Sequence, residues 1–297
     1  MTTTTGSTVP RRMLGRLLKQ YRIAADVSQA KAARELQVGA QTIWRMETGQ
    51  NVILKKVYID ALCKLYRLKG EEAKRIRQLH QEAEEASHIT WWHQYDEQIP
   101  PHFDLYMQLE DAAQSFSAYH PSLLPGLLQT PEYRRQIIWT EFPAMATVEV
   151  ERRIELHTKR VERLTSTKHP IRVSVLVDEA VLRRPAGPPE VMSDQLEHLV
   201  EADKLPNVTV RVVPFSVGMH VGTITGPFVL LDFPPHATAE LTEPPTVYIQ
   251  GFTGAAYLDT ADKVAPYRTA YAEIQRTALD EKASHRLILD IAEELTR

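Results

Sequence analysis

The stretch "SQAKAARELQVGAQTIWRMETGQ", residues 28–50, constrains this chain more than any other part of it. Ser28 is a good N-cap, and Ala30, Ala32, Ala33 and Leu36 follow it at helical spacing. The spacing breaks at Gln37-Val38-Gly39-Ala40, resumes with Ile43 and Met46, and stops at Gly49, a residue type that commonly ends helices. Two short helices joined by a tight turn describe a helix-turn-helix. In that motif the second helix enters the major groove of DNA.

The formal net charge of −3 conceals an asymmetry. Residues 1–70 hold 13 Lys or Arg and 4 Asp or Glu, a balance of +9; the rest hold 22 and 34, a balance of −12. A basic segment on an otherwise acidic chain points to a nucleic-acid-binding end, and here it coincides with the helix-turn-helix pattern. Hydrophobic content of 43% and charged content of 25% are ordinary for a globular protein. No apolar run approaches the ~20 residues of a membrane span. The opening "MTTTTGSTVPRR" lacks the apolar core of a signal peptide, so residues 1–10 read as a disordered polar tail. The single cysteine, Cys63, excludes an internal disulfide framework and suits a reducing cytoplasm. Between Leu62 and Leu65 on a helical pattern, it reads as a buried, inert thiol.

Residues 11–24 carry Met13, Leu14, Leu17 and Leu18 on one stripe, which predicts a first amphipathic helix. The segment 55–68, with Val57, Ile59, Leu62, Leu65 and Leu68, predicts a fourth. Residues 71–86 are mostly polar and rich in helix formers, so 71–89 reads as a bridging helix leaving the module at 11–70. From 90 to 297 the character changes. Helical patterns at about 104–118, 131–140, 147–165, 189–203, 260–278 and 283–296 alternate with β-like runs at 171–177, 208–215, 227–233 and 246–252. The expectation is an all-α helix-turn-helix domain followed by a mixed α/β (α+β) domain around a central sheet.

In the third helix Gln41 and Arg45 stand at i and i+4 on one face, while Ile43 and Met46 point elsewhere. Arg donates two hydrogen bonds to guanine and Gln pairs with adenine, so these two suit base readout. Trp44 suits a thymine methyl, backbone sugar or the core edge. Gln29 at the start of helix two, and Lys55 and Lys56 at the start of helix four, suit phosphates, aided by N–H groups at helix N-termini.

Residues 11–68 resemble the Cro/C1-type (XRE-like) helix-turn-helix domain of phage repressors and many bacterial regulators. The marks are Ser28-Gln29, Ala32-Ala33, Leu36, Val38, Ile43 and the closing "RMETG" at 45–49. The resemblance places Gly39, Ala40, Gln41, Trp44 and Arg45 on the DNA-facing positions, and with the phosphate candidates the expected DNA-binding set is Ser28, Gln29, Gly39, Ala40, Gln41, Thr42, Trp44, Arg45, Lys55 and Lys56. One position departs: Gln37 occupies the turn position that is usually glycine, and Gly39 is a neighbour able to compensate. The second region resembles the C-terminal domain of WhiJ-like actinomycete regulators through "YHPSLLPGLLQTPEYRR", "VLVDEAVLRRPAGPPEVMSDQLEHLVE", "PNVTVRVVPFSVGMH" and "VYIQGFTGAAYLD". That resemblance implies a cytoplasmic transcription regulator, often paired with a small partner protein in an antitoxin-like arrangement.

Within the second region, "PSLLPGLL" places leucines between prolines. It reads either as packing or as a docking surface built from Leu124, Leu127 and Leu128, with Tyr133 beside it. Asp178 and Glu179 are expected at the carboxyl end of a strand, where α/β sheets commonly bind ligands, with Arg183 and Arg184 positioned to neutralise them. The glycine-rich "GMHVGTITG" at 218–226 reads as a hairpin or lid with His220 as a pocket-lining candidate. It matches neither a dinucleotide nor a P-loop fingerprint. The eleven histidines contain no HExxH, and His88 and His93 around Trp91-Trp92 are too few for a metal centre. No G-x-S-x-G elbow is present.

The expectation is therefore a non-enzymatic regulator without cofactor or metal, reading an inverted-repeat duplex as a homodimer. Its second domain receives a signal from a small partner protein or ligand. Two alternatives remain open: an antitoxin-like protein that neutralises a partner and only autoregulates through DNA, and an enzyme in which Asp178 or Glu179 meets His220.

Overall fold

Met13, Leu14, Leu17 and Leu18 bury one side of helix α1 (Val9–Ala24), as their spacing requires. In the computed structural model, which describes residues 9–50, 52–89, 91–100, 103–167, 171–236 and 242–296, the chain divides into two compact units. The first comprises Met1–Gln94, Pro100–Ala112 and Pro234–Glu243; the second comprises Tyr95–Ile99, Ala113–Phe233 and Pro244–Arg297. Residues 1–8 of the expected tail lie outside the described residues, and Val9 and Pro10 already belong to α1.

In the first unit α2 (Gln29–Leu36), α3 (Ala40–Glu47) and α4 (Lys56–Leu65) follow α1. Their apolar stripes meet in one core that includes Leu14, Leu18, Ala32, Leu36, Ile43, Met46, Ile59 and Leu62. Cys63 is buried there, and burial pushes its thiol pKa up, as an inert thiol requires. Gly15 lets α1 meet the end of α3: a side-chain carbon there would fall 2.4 Å from the Met46 carbonyl oxygen. Helix α5 (Glu71–Ile89) packs on α1, with Ala73, Ile76 and Leu79 in the same core. This corrects the reading of 71–89 as a bridge: sparse apolar positions among charges suffice when they fall on one stripe. Helix α6 (Asp104–Ala112) also belongs to this unit.

The helix ends explain the turn chemistry. After α1, α2 and α4 the chain takes left-handed conformations at Asp26, Gln37 and Arg67, with φ of 52°, 53° and 60°. In each case the next two amide groups return to carbonyls of the last turn, as in Gln37 N to Arg34 O at 3.1 Å and Val38 N to Ala33 O at 3.0 Å. Gln37 itself therefore takes the glycine-like conformation, while Gly39 sits at φ −70° as the N-cap of α3 and compensates for nothing. A side chain in this region costs about 1 kcal/mol. Gln37 is exposed, so Gln37→Gly is expected to stabilise the chain by roughly that amount, read as a higher urea midpoint.

The second unit holds a six-stranded sheet in the order β3-β2-β1-β4-β5-β6. Strand β1 (Ser115–His120) pairs in parallel with β2 (Arg172–Asp178), which pairs in parallel with β3 (Val208–Val213). On its other side β1 pairs antiparallel with β4 (Phe228–Asp232), followed by antiparallel β5 (Thr246–Gln250) and β6 (Ala255–Leu258). Two of these strands were missed by the sequence reading, which ran a helix through 104–118 and had no element at 255–258. Between strands lie α7 (Pro131–Glu141), α8 (Thr147–Val161), α9 (Glu179–Arg183), α10 (Pro189–Ala202) and the short α11 (Val221–Thr225). Helices α12 (Ala261–Thr277) and α13 (Glu281–Thr296) close the chain. Val264 and Ile274 of α12 join Tyr119, Leu176, Phe228 and Leu230 in one core. The alternate residues Phe116, Ala118, Val175, Val210, Val212 and Leu231 are buried too. Burial on both faces explains why the runs at 171–177 and 208–213 read as nearly continuous apolar stretches. The observed fold is a helical unit followed by a mixed α/β unit.

Candidate nucleic-acid interface

Helix α3 is divided lengthwise. Ile43, Met46 and Glu47 are buried, while Ala40, Gln41, Trp44 and Arg45 face solvent and Thr42 is half-buried. Trp44 is 44% exposed, so it does not serve as a core residue. Gly39 caps α3 without a side-chain hydrogen bond, leaving the first amide groups of the helix open beside it. Ser28 caps α2 by accepting from Lys31 N at 3.2 Å. Lys55 and Lys56 stand exposed at the start of α4, and Lys55 Nζ lies 5.6 Å from the centre of the Tyr58 ring.

What holds α3 in place went unread in the sequence. Glu47, at its last turn, is buried and accepts from Arg22 of α1 at 2.5 and 3.1 Å and from the Gln29 amide of α2 at 2.8 Å. One carboxylate thus ties together α1, α2 and α3. That bond with Glu47 is the first reason the Arg22 guanidinium is held above its ordinary range. Gln29, expected at phosphate, spends one amide N–H on Glu47; its backbone N–H stands in the first turn of α2.

The basic count of the segment overstates its surface charge. Arg11 is buried and donates to the Val52 carbonyl at 3.0 Å. Arg12 and Arg16 donate at 2.8 and 2.5 Å to Glu243, a buried residue of the 234–243 segment that no sequence signal marks. Among the described residues of this segment the exposed cations are instead Lys19, Lys31, Arg34, Arg45, Lys55, Lys56, Lys64, Arg67 and Lys69.

In the second unit the leucines are settled. Leu124, Leu127, Leu128 and Tyr133 are 1%, 1%, 0% and 3% exposed, so the proposed docking surface is core instead. Prolines and glycine turn the chain sharply enough to point these side chains inward, and a polar frame holds the turn. Gln129 Nε2 donates to Leu124 O at 2.6 Å, Gln195 Nε2 to Leu128 O at 2.8 Å, and Thr130 N to Gln195 Oε1 at 2.7 Å. Thr130 caps α7, accepting from Tyr133 N at 3.2 Å.

His157 completes that frame by donating from Nε2 to the Gln129 carbonyl at 3.0 Å. Burial first, against the Gln129 bond and with Arg160 and Arg134 nearby, pushes its pKa down to about 3 from 6.5. A buried neutral histidine contributes its full stability above the unfolded pKa and loses it as pH falls toward the folded one. Between pH 7 and 5 this residue is expected to lose about 2 kcal/mol. His157→Gln is expected to flatten the fall in urea stability over that interval by the same amount.

Asp178 ends β2 at the carboxyl edge of the parallel strands, as expected. Its Oδ1 accepts from Ala180 N at 2.9 Å, and its Oδ2 lies 3.8 Å from His220 Nε2. His220 Nδ1 accepts from Gly222 N at 3.2 Å, capping α11. The Tyr119 ring stands edge-on to His220, and burial, then Asp178, raises its hydroxyl pKa. Glu179 is not part of this set. It accepts from Arg183 Nε at 2.7 Å and from Phe215 N at 2.8 Å. Among the described residues Arg184 pairs with no acid but donates to the Ser122 carbonyl at 2.8 Å. The side chains of His88 and His93 lie outside the described residues.

A solvent-facing third helix locked by a buried ion pair defines a helix-turn-helix protein. Residues 13–76 match the helix-turn-helix domain family, which supports a DNA-binding regulator. Residues 103–290, more than half of the chain, match the family described as a domain of unknown function, DUF5753, and the chain belongs to that family. No curated protein matches the chain, and no solved structure does. Among the described residues no helix is long and apolar enough to cross a membrane.

Proposed function

We propose that this protein is an XRE-like transcription regulator that reads a specific duplex sequence through α3, with Arg45 and Gln41 on base edges. The exposed Gln41, Trp44 and Arg45, opposite a buried Ile43, Met46 and Glu47, are the observation that carries this reading. Arg45 pairs a guanine bidentately, Gln41 meets an adenine, and Trp44 covers a thymine methyl or the sugar beside it. Ser28, Gln29, Gly39, Ala40 and Thr42 bring the α2 and α3 N-termini to phosphates, and Lys55 and Lys56 hold the backbone. The chain acts as a homodimer, so the operator is an inverted repeat with half-sites about 34–36 Å apart.

The second unit receives the signal, a small partner protein or ligand. The place we assign to it is the carboxyl edge of β1–β3, where Asp178 and His220 meet. Asp178 and His220 each cap a helix, which favours a receiving role over catalysis. The likeness to WhiJ-like actinomycete regulators agrees with this division of labour.

Binding to the DNA upstream of the protein's own gene tests the reading, at two salt concentrations and with Arg45→Ala. Arg45→Ala is expected to weaken specific binding by about 1–3 kcal/mol while leaving weak nonspecific binding in place. Equal losses on specific and random duplexes would assign Arg45 to the backbone instead.

A further inference from the structure

Residues 52–55, between α3 and α4, belong to no helix or strand, yet the protein ties them down. Val52 and Leu54 turn their side chains to the core of the first unit, Leu54 buried in it and Val52 packed against it. Their carbonyls are held as well. Arg11 Nη1 donates to the Val52 oxygen at 3.0 Å, and Nε2 of His80 on α5 lies 2.7 Å from the Leu54 oxygen. A carbonyl has no proton to give, so Nε2 carries the proton and the ring is the donor. Glu84, one turn further along α5, stands 3.6 Å from the same nitrogen, outside hydrogen-bond reach. Arg11 and His80 are both buried. They flank residues 13–76, the part that matches the helix-turn-helix family, one on each side.

The outer edge of this segment faces solvent. Ile53 is 64% exposed between the two tied carbonyls, and Lys55 and Lys56 are exposed at the start of α4. Lys55 is the N-cap of α4 in an extended conformation, φ −72° and ψ 138°, with no side-chain cap bond. Apolar side chains alone would anchor such a segment without setting its peptide planes. Bonds to its carbonyls do set them, and with them the direction of the amides and lysines that follow. A segment already fixed also avoids the ordering cost that a mobile one meets on binding. We propose that Arg11 and His80 are positioning residues for the DNA backbone. By fixing residues 52–55 they hold Lys55, Lys56 and the first amide groups of α4 ready for phosphates before DNA arrives. Such positioning rests on the phosphate contacts proposed above for Lys55 and Lys56, and it extends the DNA-binding machinery to α5.

The test uses the full chain, titrated across a salt series with the DNA upstream of its own gene and with a random duplex. Amide hydrogen exchange of the DNA-free protein is measured beside it. Each lost phosphate contact lowers the steepness of log affinity against log salt by about 0.9. Lys55→Ala and Lys56→Ala are each expected to lose about one contact. His80→Leu, which stays apolar and buried but has no donor, is expected to lose about one to two and to weaken both duplexes about tenfold at the lower salt. His80→Gln carries an amide that can reach the same carbonyl, so it is expected to stay within about threefold of wild type. Exchange at residues 52–57 is expected to quicken in His80→Leu while α1 stays protected. If His80→Leu does not fold, His80→Asn replaces it, because its shorter amide falls short of the Leu54 oxygen. A wild-type salt slope in the variant without the bond, or unchanged exchange at 52–57, overturns the proposal and leaves the phosphate contacts standing. Wild-type slopes in both lysine variants remove those contacts themselves, and the positioning role falls with them.

Discussion

Glu47→Ala is expected to destabilise the first unit by about 3–5 kcal/mol, the cost of stranding a buried charge whose partner has been removed. The Glu47 side chain is 2% exposed and that of Arg22 is 12% exposed, so Arg22 has little water to turn to once the carboxylate is gone. The Gln29 amide loses its acceptor in the same step. A marginally stable helical unit has little stability to spare at that magnitude. Urea unfolding followed by hydrogen exchange across residues 29–47 measures the effect. Glu47→Gln is informative beside it, because the amide keeps the shape and one acceptor but not the charge. It is expected to fall between wild type and Glu47→Ala. An unchanged midpoint in both variants would show that α3 is held by its apolar face alone. If Glu47 does hold the helix, specific DNA affinity falls in these variants although Glu47 touches no base.

The second large effect is expected at Glu243, which stands 231 residues from Arg12 in sequence. Its side chain is 2% exposed and receives Arg12 at 2.8 Å and Arg16 at 2.5 Å. Arg12 is 7% exposed and Arg16 34%, so Arg16 regains water on loss of the carboxylate and Arg12 does not. Glu243→Ala is expected to cost about 3 kcal/mol, nearly all of it through Arg12. A double-mutant cycle with Arg12→Ala isolates that share, and a coupling well above 1 kcal/mol is expected. Limited proteolysis within 234–243 supplies an independent readout, with faster cleavage in Glu243→Ala. A coupling near zero would mean the pair merely decorates the surface of α1.

How much of this was legible follows from the range of each interaction. Helices α1 to α4 were readable because Leu14, Leu18, Ile43, Met46, Ile59 and Leu62 repeat at the helical period and all enter one core. The place of the turn was readable, but not its shape: Gln37 itself takes the left-handed conformation, and the expected compensation by Gly39 does not occur. Strand β1 was misread because Leu109, Ala113 and Phe116 continue the phase of α6 with no glycine or proline between them. Only pairing with β2 and β4, supplied from far along the chain, makes that segment extended. Strand β6, four residues with two alanines, carries little β signal of its own. The leucines of "PSLLPGLL" left packing and docking both open because prolines mark surface turns; the Gln129, Gln195 and His157 frame turns Leu124, Leu127 and Leu128 inward, as the packing reading expected. In the helix-turn-helix the outward residues Gln41 and Arg45 were legible from phase. Arg22, Glu47 and Glu243, which brace its helices, were not, because their partners lie one or more elements away.

The most direct test of the central claim is selection of duplexes from a randomised pool by the full chain, repeated with Gln41→Ala. Wild type is expected to enrich an inverted repeat with half-sites one helical turn apart. Gln41→Ala is expected to relax one symmetric pair of positions while the rest of the motif persists. Recovery of no motif above the starting pool, or of one that Gln41→Ala leaves unchanged at every position, would contradict base reading by this face of α3.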